Sequence, residues 1–163
     1  MRALGAEAVE TGAAYFTGGA TAVLLGWRPT TIDVDVTFVP EQDAVLRALP
    51  RLKDELSINV ELVSPADFVP LPRGWEERSV FVSREGRLTY YHFDPYSQAL
   101  AKLERAHSQD LEDVRSMLAA GLVERDDALQ RFREIEPALY RYPAVDPESF
   151  RRRVEEAFAG HPR

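Results

Sequence analysis

The 163-residue chain has no cysteine. Disulfides, thiolate nucleophiles and zinc sites with sulfur ligands are therefore excluded. It has only three histidines, His92, His107 and His161, and their scatter gives no zinc-ligand spacing. Positive charge is in deficit: 20 basic residues against 27 acidic ones leave a net charge of −7. On average such a chain repels phosphate backbones, which argues against a broad nucleic-acid surface but not against a local basic patch. Long apolar runs are lacking too. The longest uncharged stretch, Thr11 to Trp27, is broken by Gly12, Gly18, Gly19 and Gly26, so it does not supply the roughly 20 apolar residues of a membrane span. Glu7 and Glu10 stand where a secretory leader would carry positive charge. The expectation is a soluble cytoplasmic protein without membrane contact.

Enough apolar surface remains, at 45% of residues, to offset the entropy of ordering the chain. Ala3 to Val9 reads as a short helix, Ala14 to Thr17 as a brief strand stopped by Gly18-Gly19, and Ala20 to Leu25 as a helix. Thr31 to Val39 is the clearest strand, its apolar residues alternating with aspartates. Leucines and Val45 between Glu41 and Leu56 recur near the helical period, with Pro50 expected to kink or shorten that helix. Ile58 to Val63 alternates as a second strand. Pro65 to Pro72 reads as a loop, and Ser79 to Ser83 with Arg87 to Phe93 as a hairpin across Arg84-Glu85-Gly86.

At Asp94 the pattern changes. Asp94-Pro95 combines a favourable N-cap with proline at the first helical position. Helical patterns then run to about His107, from Gln109 to Ala120, from Asp126 to Tyr140, and from Asp146-Pro147 to about Gly160. The expected architecture is α/β (α+β): a mixed β-sheet with helices on one face over residues 1–93, followed by a helical bundle over 94–163.

The chemistry concentrates in Ile32-Asp33-Val34-Asp35-Val36. Strand residues two apart face the same side, so Asp33 and Asp35 project together while Ile32, Val34 and Val36 face the core. Aspartate is a poor strand former, and two adjacent carboxylates repel unless a cation neutralises them. Oxygen ligands of this kind suit Mg²⁺ or Mn²⁺ together with substrate phosphates. A solvated strand face is the bland alternative. Fourteen residues before Asp33, at Gly19, a Gly-Gly turn leads into a helix, where backbone N–H groups can meet a phosphate; simple turn geometry is the competing explanation.

Phe16-Thr17-Gly18-Gly19-Ala20-Thr21-Ala22 followed by Arg28, Thr30 and Ile32-Asp33-Val34-Asp35-Val36 resembles the signature of the DNA polymerase β-like nucleotidyltransferase superfamily. More narrowly it is similar to the small bacterial branch that opens with Gly-Gly, as abortive-infection and toxin–antitoxin nucleotidyltransferases do. The resemblance implies that Gly18, Gly19 and Thr21 hold an NTP, that Asp33 and Asp35 bind metal, and that a third carboxylate completes the site. Glu61 is the candidate, although relatives more often have Asp there; an exposed strand glutamate is the alternative. Arg28 would bind phosphate or pair with an aspartate. Lys102, Arg105, Asp110 and Asp113 resemble the Lys…Arg…Asp-x-x-Asp helix pair of these relatives, in which the lysine reaches the nucleotide; a solvated charged face is the alternative.

The implied reaction is Mg²⁺- or Mn²⁺-dependent transfer of a nucleoside monophosphate from an NTP to RNA, a protein or a small molecule, with an antitoxin or a second copy as partner. Two readings compete with it: a catalytically degenerate member that binds nucleotide or a partner protein, and a plain structural module. Arg131, Arg133, Arg141, Arg151, Arg152 and Arg153 could form a basic RNA-binding patch, but interleaved glutamates argue for paired surface charge.

Overall fold

The computed structural model describes residues 1–158; the expected helix end near Gly160, and His161, lie outside them. The chain forms two compact units. Met1–Ser64 and Ser79–Phe93 make the first; Pro65–Arg78 and the chain from Asp94 make the second. Residues 65–78, read from sequence as part of the leading domain, thus belong with the helices. The Tyr142 hydroxyl donates to the Ala66 carbonyl (2.9 Å). The Arg105 guanidinium lies over the Phe68 ring at 4.9 Å. Arg78 donates through Nε and Nη2 to the Asp94 carboxylate at 3.1 and 2.8 Å.

The first unit contains α1 (Arg2–Glu7), β1 (Gly12–Thr17), α2 (Gly18–Leu24), β2 (Asp33–Val39), α3 (Asp43–Leu56), β3 (Asn59–Leu62) and, after residues 65–78, the hairpin β4 (Val80–Glu85) and β5 (Leu88–His92). The strands form one mixed sheet ordered β3-β2-β1-β5-β4. β1 pairs antiparallel with β2 and parallel with β5, while β2 and β3 run parallel through the α3 crossover. Pro50 sits inside α3 without ending it.

One sheet face supplies Ala14, Phe16, Val36, Phe38, Val60, Leu88 and Tyr90 to the core, with Ala20 of α2 and Val45 and Leu49 of α3 packed against them. The alternation seen in the sequence therefore sorts the strands correctly, with one correction. Ile32 is 71% exposed, because β2 begins only at Asp33.

The second unit contains α4 (Trp75–Arg78), α5 (Pro95–Arg105), α6 (Ser108–Ala119), α7 (Arg125–Ile135) and α8 (Pro147–Phe158). Asp94 caps α5 as its position before proline predicts: its carboxylate accepts the backbone N–H groups of Tyr96 and Ser97 and the Ser97 hydroxyl. Aromatic packing holds this core as well, with Phe132 and Phe150 edge to face at 5.1 Å. Among the described residues no helix is long and apolar enough to cross a membrane.

Candidate active site

Opposite the core, the same sheet presents a polar face. Thr17 of β1 stands beside Asp35 of β2, and Asp35 beside Glu61 of β3, in one lateral row. The next row pairs Asp33 with Asn59. Laterally paired residues share a face, so the register gathers all three predicted carboxylates on one side of two adjacent strands. Asp33 and Glu61 are exposed and Asp35 is half-buried. Aromatics hold the β1–β5–β4 side of this face: Tyr15 stacks on Tyr91 with ring centroids 5.3 Å apart, and Phe93 meets Tyr15 edge-on at 5.6 Å.

Asn59 lies between two of the carboxylates. Its side-chain amide donates to Asp33 Oδ1 at 3.0 Å and to Glu61 Oε1 at 2.8 Å. Strand alternation alone puts Asn59 on the polar face it shares with Glu61, while its bridge to Asp33 depends on the β2–β3 register.

The glycine turn is built against the aspartates. Gly18 opens α2 with φ at +57°, and a Cβ placed on it would overlap Asp35 Oδ2. Glycine meets both demands, since it tolerates positive φ and has no side chain. A Cβ on Gly19 would stand 2.5 Å from Thr31 Oγ1. That hydroxyl donates to the Asp33 carbonyl at 3.0 Å and accepts the Asp33 N–H at 3.2 Å. Gly-Gly thus lets β1–α2 approach the start of β2 closely, and the two halves of the sequence motif meet in space.

Thr21 is 1% exposed; its hydroxyl donates to the Phe16 carbonyl at 3.0 Å and lies 3.2 Å from His92 Nδ1. Arg28 is half-buried in the loop between α2 and β2. Lys102 belongs to the second unit and is buried, its ammonium donating to Asp110 Oδ1 at 3.2 Å and to Asp113 Oδ2 at 2.6 Å. Arg105 also donates to Asp110, at 2.6 Å. Two arginines of the last helices pair as the glutamate spacing suggested, Arg131 with Glu134 and Arg151 with Glu136 at 2.6 Å, while Arg153 donates instead to the Leu103 and Glu104 carbonyls.

The donor set on the sheet is entirely carboxylate oxygen, which suits a hard divalent cation. Among the described residues, however, no three acidic or histidine side chains converge into a closed metal site. Two protein carboxylates with substrate phosphates completing the shell is the ordinary Mg²⁺ arrangement, and the residues present fit that pattern.

A mixed five-stranded sheet with helices on its core face, a Gly-Gly turn against Asp-x-Asp and a helical second unit define a nucleotidyltransferase-like α+β protein. The chain belongs to the family described as "Nucleotidyltransferase of unknown function (DUF6036)", whose model matches residues 13–151. Searches of curated proteins and of solved structures give no match.

Proposed function

We propose that this nucleotidyltransferase moves a nucleoside monophosphate from an NTP to an acceptor hydroxyl in a reaction that depends on Mg²⁺ or Mn²⁺. The observation that carries the reading is the alignment of Asp33, Asp35 and Glu61 on one face of β2 and β3, beside the Gly18–Gly19 turn. In the reaction the acceptor oxygen bonds to the α-phosphorus, the bond from that phosphorus to the bridging oxygen breaks, and pyrophosphate departs with the electron pair. Two of the carboxylates Asp33, Asp35 and Glu61 would hold the cation, with substrate phosphates completing its shell. When bound, it neutralises the triphosphate and the pyrophosphate leaving group, as metal ions do in phosphoryl-transfer sites. Glu61 or Asp35 takes the acceptor proton. Gly18 has no side chain to overlap Asp35, so the turn lies directly against that carboxylate; its backbone N–H groups would meet the triphosphate there, and Arg28 supplies positive charge nearby in sequence. The acceptor is RNA, a protein or a small molecule.

Incubation with each labelled NTP, Mg²⁺ or Mn²⁺, and total cell RNA or lysate tests the reading. Label transfer by the wild type and none by Asp35→Asn supports it. NTP binding without transfer to any acceptor overturns it in favour of a second reading, a non-catalytic member that binds nucleotide or a partner protein. One observation favours that alternative: among the described residues no three acidic side chains converge into a closed metal site.

A further inference from the structure

We infer that Asn59 is the positioning residue of the metal site, the group that fixes Asp33 and Glu61 so that a cation and its triphosphate can be bound; the inference rests on the transferase reading above. Asn59 starts β3, directly opposite Asp33 in the parallel register and two residues before Glu61 on the same face. A side-chain amide nitrogen carries two N–H donors. Here that nitrogen reaches carboxylates on different strands, Asp33 Oδ1 at 3.0 Å and Glu61 Oε1 at 2.8 Å. Each carboxylate keeps a second oxygen for another partner.

The chemistry of the bridging group matters. Two carboxylates on neighbouring strands repel, and the long glutamate side chain has several rotamers to choose from. A lysine or arginine between them would cancel the repulsion but would also occupy the place of a cation. A neutral amide orders both carboxylates and leaves their negative charge intact. Asn59 also accounts for a glutamate in third position. The extra methylene gives Glu61 the length to fold back along β3, and the amide holds its carboxylate on the Asp33 side. Asparagine is disfavoured in strands, so its presence at this register position is consistent with a side-chain task. Outer partners that hydrogen-bond metal-ligating carboxylates typically change metal affinity 10–100-fold when lost.

The test uses the full chain and Mn²⁺ titrated by calorimetry in the presence of a non-hydrolysable NTP, on the wild type, Asn59→Ala, Asn59→Leu and Asp33→Ala. Thermal melting of each metal-free protein runs alongside. Leucine has the same branched arrangement of side-chain heavy atoms as asparagine but donates nothing, so beside the alanine variant it separates packing from hydrogen bonding. The expected result is Mn²⁺ affinity weakened about 10–100-fold in both Asn59 variants, little change in melting, and no binding in Asp33→Ala. Wild-type affinity in Asn59→Leu, or in both Asn59 variants, overturns the assignment while leaving the metal site standing. Loss of the folded state in both makes Asn59 a folding residue and equally overturns it. If the wild type shows no Mn²⁺ binding that depends on Asp33, the transferase reading itself fails and the role of Asn59 with it.

Discussion

Gly19 and Thr31 occupy one space: the position a Gly19 Cβ would take is 2.5 Å from the Thr31 hydroxyl and 3.1 Å from the Thr31 Cβ. Thr31 in turn clamps the backbone of Asp33 through both its hydrogen bonds. The glycine turn and the aspartate strand are therefore a single packed unit. A sequence reading assigns Gly19 to phosphate approach, and the structure adds a steric duty toward β2.

This contact predicts the outcome of substitution at the turn. Gly19 lacks positive φ, so its cost is packing and not backbone strain. Gly19→Ala should destabilise the metal-free protein by about 1–3 kcal/mol, the usual range for overpacking. Thr31→Ala should cost less in that background than in the wild type, because it removes the crowded hydroxyl. Urea unfolding of the four proteins of this cycle gives the coupling. Additive costs would mean that Gly19 and Thr31 do not compete for space. Any loss of NTP binding in a Gly19 variant has to be read against that stability change.

Lys102 makes a separate prediction in the second unit. Its side chain is 6% exposed, those of Asp110 and Asp113 are 7% and 1%, and Asp110 Oδ2 is buried with no hydrogen-bond partner. Removing one member of a buried ion cluster leaves charge uncompensated, at a cost of roughly 3–5 kcal/mol. Lys102→Met should lose stability of that order with no nucleotide present. The double variant Lys102→Met/Asp113→Leu should recover part of it, since one buried negative charge is then gone. Denaturant midpoints decide. A Lys102→Met protein as stable as the wild type would show that the ammonium contributes nothing to the fold.

Which parts of this were legible in the sequence follows from the range of the interactions. The β2 alternation and the Asp94-Pro95 helix start are local, and both are where the residues place them. Ile32 was misplaced because a strand begins where its partner does. The Ile32 carbonyl accepts the Asn59 N–H at 2.8 Å, but the ladder starts at Asp33 and the Ile32 side chain is left exposed. The ion cluster needs a tight turn between α5 and α6, and that turn is made by Ala106 at φ 55° with no glycine to announce it. Linear spacing shows charges three apart on one helix; it does not show Asp110 and Asp113 folding back onto Lys102. The role of Asn59 is likewise invisible until the β2–β3 register is known. The helical character of Trp75–Arg78 was missed because four residues are too few to show a period.

His92 gives a pH dependence. It closes β5 opposite Phe16 and is 4% exposed. The Thr21 hydroxyl spends its proton on the Phe16 carbonyl, so its oxygen accepts from His92 Nδ1–H, and the ring fits this site in its neutral form. Burial holds the His92 pKa below its ordinary value of 6.5. Between the depressed folded value and 6.5 the unfolded chain binds the extra proton and the folded one does not. Folding stability from this residue is therefore complete above about pH 6.5 and falls as the pH drops below it. Wild-type melting temperature should decline from pH 7.5 to pH 5.5 more steeply than that of His92→Gln, which keeps a polar group at the site but cannot titrate. The two proteins should differ least in slope above pH 7, where His92 is neutral whether folded or not. Parallel curves across the acid range would mean that the folded protein accepts a proton on His92 as readily as the unfolded chain does, and the ring would then have to reach water.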